Sequence, residues 1–184
     1  MNNPTPPQIL QTRSIAKSRL FNIEEVDLKF SNGEERTFER CGGNILTKGS
    51  VLIVPLLDPH TLILIREYAT GLDCYELSFP KGLIDANETR EEAANRELKE
   101  EAGYGARKID FLKIAATSPN YMKGKMQLMV AQDLYPERLP GDEPEPLEVV
   151  TWPLADYKAL LAREDFTAAM NISALYLAMD FLKY

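Results

Sequence analysis

The stretch from Gly82 to Tyr104, GLIDANETREEAANRELKEEAGY, constrains this chain more than any other. Thr89-Arg90-Glu91-Glu92 is a capping box, in which Thr89 starts a helix and Glu92 reaches back to it. Gly103 supplies a left-handed C-cap. Between them a helix over 89–102 carries a narrow apolar seam, Ala94, Leu98 and Ala102, at i, i+4 spacing. Glu97, Glu100 and Glu101 stand beside that seam. At about 100° per residue they fall within an arc of roughly 100°, so their carboxylates converge. Converging like charges repel unless a cation sits among them, and all-oxygen donors suit Mg²⁺ or Mn²⁺. A solvated acidic helix is the plain alternative, with Arg90, Arg96 and Lys99 paired to Glu92, Glu100 or Glu101.

Composition narrows the chemistry. The 184 residues are 45% apolar and 27% charged, which suits one globular domain with a small appendage. Acidic residues outnumber basic ones, 28 to 21, so no nucleic-acid partner is expected. His60 is the single histidine; it falls in the turn Asp58-Pro59-His60 and reads as surface, and multi-histidine zinc sites are excluded. Cys41 and Cys74 cannot make a disulfide framework, so a reducing cytoplasm is expected. The opening MNNPTPPQ reads as a loose tail rather than a signal peptide, and no apolar run is long enough to span a membrane.

Along the chain, Phe21–Phe30 and Glu34–Arg40 read as a hairpin turning at Asn32-Gly33, and Cys41-Gly42-Gly43-Asn44 breaks the pattern. The division expected is 1–47, tail and β-hairpin, and 48–184, the main domain. Strands are expected over 50–57, 61–68, 74–79, 111–117, 126–133 and 149–152, with helices over 89–102, 154–163 and 166–182. Ala169, Ile172, Leu175, Tyr176 and Met179 would form the buried face of the last helix. Without a regular βαβ rhythm, a mixed sheet between helices is the expected α/β (α+β) architecture.

The acidic segment resembles the Nudix box: glycine, five residues, glutamate, seven residues, then Arg-Glu-apolar-x-Glu-Glu-x-Gly-apolar. Gly82, Glu88, Arg96, Glu97, Leu98, Glu100, Glu101 and Gly103 match at the required intervals, and Tyr104 is a mild departure. Pro119, sixteen residues after Gly103, is similar to a proline of the ADP-ribose pyrophosphatases. SRLFNIEEVDLKFSNG, LILIREYATG, VAQDLYPERLPGDEPEPL and NISALYLAMDFLK resemble the NudE branch, the ADP-compounds hydrolases. The resemblance implies an αβα sandwich and metal-dependent cleavage of the diphosphate in ADP-ribose, NADH or diadenosine polyphosphates. It implies Glu97 and Glu101 as metal ligands, Glu100 as a ligand or near neighbour, the Lys81 carbonyl as a further ligand, and a Glu88–Arg96 brace. Mg²⁺ is the expected ion, with Mn²⁺ possible. In the acidic loop 141–148, it implies Glu143 as the water-activating base and Glu145 near the metals; otherwise the loop is a solvated linker. Related enzymes use such an N-terminal appendage to form homodimers.

Substrate contacts stay open. Arg66 either meets a phosphate or ribose or pairs with Glu67 or Glu76, and Arg40 has the same two readings. Glu76 is a candidate substrate residue, and Tyr121 and Phe21 could stack on adenine or simply pack. Two other readings are a Nudix enzyme that sanitises nucleoside triphosphates and a Nudix-shaped nucleotide-binding module without turnover; every box glutamate is present, which opposes the second.

Overall fold

A computed structural model describes residues 4–42 and 49–184. The chain forms two compact units, Met1–Gly49 with Ala116–Lys125, and Ser50–Ala115 with Met126–Tyr184. The expected division at 47/48 lies outside the described residues.

The first unit is built on a three-stranded antiparallel sheet: β1 (Gln8–Lys17), β2 (Asn22–Lys29) and β3 (Glu35–Gly42), in that order. The expected hairpin is β2–β3. It has gained β1, which the proline-rich start concealed. Its connection is longer than the two-residue turn expected. Phe30 and Glu34 still bond across it, Gly33 N–H donates to the Phe30 carbonyl at 2.9 Å, and Gly33 takes φ +88°. Glycine is favoured at that left-handed position. The segment 116–125 joins this unit through Cys41 N–H to Tyr121 O at 2.7 Å and Lys123 N–H to Cys41 O at 3.0 Å.

The second unit is a seven-stranded mixed sheet. β4 is Ser50–Asp58, β5 Thr61–Ala69, β6 Cys74–Ser78, β7 Lys81–Leu83, β8 Tyr104–Ala116, β9 Lys125–Pro136 and β10 Glu148–Pro153. The order is β10-β5-β4-β9-β8, with β6 on β5 and β7 on β4. β4 and β9 run parallel, and β4 is antiparallel to β5 and β7. The apolar run Val51–Leu56 is buried on both faces, as a central strand between two layers requires. Leu52, Val54, Leu62, Leu64, Leu128 and Val130 pack with the helices α2 (Tyr157–Leu161) and α3 (Ala169–Leu182). Val51, Ile53, Ile63, Ile65 and Met129 face the opposite way and pack with Ala93, Ala94, Leu98 and Ala102 of the acidic segment. This is the expected sandwich of helices about a mixed sheet.

α3 is turned from the expected face. Asn171, Ala174, Leu175, Ala178 and Met179 are buried, while Tyr176 is exposed. Asn171 accounts for the rotation: its Oδ1 accepts the Phe79 N–H at 3.2 Å, satisfying a buried backbone donor.

Candidate active site

The acidic segment folds as its capping signals require, with one change. Thr89 Oγ1 accepts the Glu92 N–H at 3.2 Å, and Glu92 accepts the Thr89 N–H at 2.8 Å. The helix α1 (Arg90–Glu97) does not continue as an α-helix. Leu98–Ala102 forms a π-helical turn, in which Gly103 N–H, at φ +77°, reaches back to the Leu98 carbonyl. Widened turns of this kind recur at functional sites. Carbonyls freed at its end are taken up by the chain after β9. Glu137 N–H donates to Gly103 O at 3.1 Å and Leu139 N–H to Lys99 O at 3.2 Å.

The three glutamates border one cavity of about 680 Å³. Seven acidic side chains line it, Glu67, Asp85, Glu97, Glu100, Glu101, Asp142 and Glu143, against Lys81 and Arg96. Both cations are engaged. Lys81 Nζ meets the Glu67 carboxylate. Arg96 binds Glu88 bidentately, Nε at 2.9 Å and Nη2 at 3.0 Å, and donates through Nη1 to Glu97 at 2.7 Å and Glu100 at 3.0 Å. Arg96 Nη2 also donates to the Leu83 carbonyl at 2.9 Å, tying helix to loop. The expected Glu88–Arg96 brace is therefore present. Its charge holds the Glu88 carboxyl below its usual range through a charge-assisted hydrogen bond.

Gly82 has a steric reason. A Cβ there would run into the Glu97 carboxylate, so glycine lets the backbone of β7 approach that side chain without displacing it. Lys81 N–H donates to Glu101 Oε2 at 2.9 Å. Even so, Glu97 and Glu101 are 8% and 5% exposed. Burial pushes the Glu97 carboxyl up to about 7 and Glu101 up to about 8, despite the attraction of Arg96 and Lys81. Among the described residues, no three acidic side chains are yet gathered about one point as metal ligands. Arg96 draws Glu97 and Glu100 toward itself, and Lys81 N–H holds Glu101. The donors are all oxygen, buried or part-buried, and in charge excess, so they fit a hard divalent cation and not a soft one.

Other site residues divide clearly. Glu143 lines the cavity, on a strap that carries Gly141 and Asp142. Glu145 does not line it; its carboxylate accepts from Tyr75 Oη at 2.6 Å. Arg66 pairs with neither expected partner. Its Nε donates to Glu148 at 2.9 Å and its Nη1 to Asp165 at 2.8 Å, because it continues the Leu62-Leu64 face, away from the acidic helix. Glu76 is buried beneath Thr167, accepting its N–H and its hydroxyl at 2.9 Å each. In the first unit, Arg40 pairs with Glu24 at 2.9 Å, and Tyr121 is exposed. Glu67 was missed as a site residue. Strand alternation could have found it, since it follows Ile63 and Ile65 on the face turned to the acidic helix.

Comparison with known proteins agrees with this geometry. Residues 46–171 match the NUDIX domain, and residues 7–40 match the NudE-type Nudix hydrolase N-terminal domain. The chain is 55% identical to the ADP compounds hydrolase NudE of Escherichia coli, across 96% of this chain and 94% of that one. It is 27% identical to an ADP-ribose pyrophosphatase of Bacillus subtilis, across 92% and 94%. A crystal structure of an ADP compounds hydrolase matches it with a TM-score of 0.92 and 53% identity, covering 100% of this chain and 97% of that one. With the box glutamates, their glycine and their arginine brace in one acidic cavity, this chain belongs to the Nudix hydrolase family, with an N-terminal unit of the NudE type.

Proposed function

We propose that this enzyme hydrolyses the diphosphate of ADP-linked small molecules, releasing AMP and the other phosphorylated moiety. ADP-ribose, NADH and diadenosine polyphosphates are the substrates in view, and ADP-ribose would yield AMP and ribose 5-phosphate. The observation that carries this is the cavity lining, seven carboxylates against two cations that are already paired. Such a cavity repels a bare diphosphate and accepts one only with cations between. Glu97, Glu100, Glu101 and the Lys81 carbonyl would hold Mg²⁺, or Mn²⁺ in its place; Glu145, engaged by Tyr75 outside the cavity, is set aside as a ligand. Bound there, the ion supplies charge neutralisation and an acidified water. Arg96 sets the glutamates' direction, and Glu143 on its strap would take the proton from the attacking water. Names of the relatives support the ADP-linked substrate class.

The same reading has the protein working as a homodimer through its N-terminal unit. Exposed Ile9, Leu10, Ile15, Phe21 and Phe38 on that unit support it, since a small sheet gains stability by covering such side chains. A cytoplasmic setting is in keeping with unpaired Cys41 and Cys74. The test is a hydrolysis screen with Mg²⁺ over the three ADP-linked substrates and the common nucleoside triphosphates. Turnover of ADP-linked compounds to AMP is expected; preferential release of pyrophosphate from triphosphates would overturn the substrate class.

A further inference from the structure

The acidic strap between β9 and β10 is pinned at both ends to different elements. On its N-terminal side, Glu137 and Leu139 N–H groups bond to the π-helical turn and Gly103. On its C-terminal side, Glu148 faces Arg66 across β10 and β5 and accepts its Nε–H at 2.9 Å. One more tie lies closer to the cavity. Tyr75 Oη donates to Glu145 Oε1 at 2.6 Å, joining residues 70 apart in sequence. The Tyr75 ring has a packing partner of its own. It stands opposite Tyr68 in the β5–β6 register, edge-on, with centroids 5.4 Å apart. Between the anchors at Leu139 and Glu145 lie only five residues, Pro140–Pro144, and all five line the cavity. Two prolines in that short span remove backbone freedom. A tie at Glu145 thus sets how far Glu143, two residues away, stands over the box glutamates.

We propose that Tyr75 is a positioning residue for the hydrolysis, holding the strap through Glu145 so that Glu143 is presented to the cavity. This rests on the reading of Glu143 as the group that activates water. It gives Glu145 a different part from that of a metal ligand: acceptor of the Tyr75 hydroxyl.

The test uses the full chain with ADP-ribose and Mg²⁺, and the variants Tyr75→Phe, Glu145→Ala, Glu145→Gln and the double Tyr75→Phe/Glu145→Ala. Tyr75→Phe keeps the ring against Tyr68 and removes only the donor. For one exposed hydrogen bond, kcat should fall about threefold to tenfold in Tyr75→Phe and in Glu145→Ala, with KM and the half-saturating Mg²⁺ unchanged. The double variant should be no slower than the slower single one. Glu145→Gln keeps an acceptor and should recover most of the rate. Amide hydrogen exchange over 140–148 should speed up in Tyr75→Phe, whatever the chemistry. Unchanged exchange in Tyr75→Phe, additive losses in the double variant, or a raised Mg²⁺ requirement in Glu145→Gln would each overturn the tether. Wild-type kcat in Glu143→Gln, with exchange still faster in Tyr75→Phe, would instead overturn the role of Glu143 and leave the tie standing.

Discussion

Glu101→Gln separates the electrostatic and catalytic consequences of the buried box. Gln retains the shape and can still accept the Lys81 N–H, so it mimics the protonated acid. In the folded chain, burial raises the Glu101 carboxyl from 4.5 to about 8. A raised carboxyl favours folding below its unfolded value and withdraws that support as pH climbs through its folded one. At roughly 1.4 kcal/mol per tenfold, the wild type without metal should be less stable than Glu101→Gln by about 1 kcal/mol at pH 5. The gap should widen to about 3 at pH 7 and approach about 5 by pH 9. Taken between pH 5 and pH 9, that is a widening of roughly 8–16 °C in the Tm difference for a domain of this size. The assay is thermal unfolding of both proteins in chelator across that range, repeated with Mg²⁺. Mg²⁺ should raise the wild-type Tm most at high pH, where Glu101 is ionised, and raise the variant much less. Hydrolysis should fall by roughly two or more orders of magnitude in the folded variant. A Tm difference that does not change with pH would rule out a buried, raised Glu101 carboxyl, and near-normal turnover in Glu101→Gln would rule out its part in hydrolysis.

Three further perturbations test separate parts. Gly82→Ala drives a methyl into the Glu97 carboxylate, so kcat should fall at least about tenfold while circular dichroism stays native; unchanged kinetics would show that the close approach is dispensable. Glu143→Gln should lower kcat by roughly 10²-fold with little change in KM, measured by steady-state kinetics; an unchanged kcat would return the search for the base to the box glutamates. Deleting residues 1–42 should give a monomer or an insoluble protein, and sedimentation of the full chain as a monomer at micromolar concentration would refute the homodimer.

Much of the box was legible because its signals are local. The capping box at Thr89 and the left-handed Gly103 follow from which residues can satisfy helix ends, and both are present. β4 and β5 were legible from apolar runs that only a sheet covered on both faces can bury. What escaped depends on distant partners. The π-helical turn is stabilised by the chain after β9, which takes its freed carbonyls. Asn171 is buried because it serves Phe79, ninety-two residues away, and no helical periodicity records that. β1 mixes polar and apolar positions and is a strand through its pairing with β2. Arg66 and Glu67 show the cost of reading a pair without its sheet. Strand alternation sends Glu67 to the acidic cavity and Arg66 to Asp165 on the far face.

The most direct measurement is the product analysis of ADP-ribose hydrolysis by chelated full-length protein before and after Mg²⁺ is restored. No turnover is expected in chelator, then equimolar AMP and ribose 5-phosphate once Mg²⁺ is added. Turnover that ignores the chelator, or a folded protein with Mg²⁺ that leaves ADP-ribose, NADH and diadenosine polyphosphates intact, would contradict it.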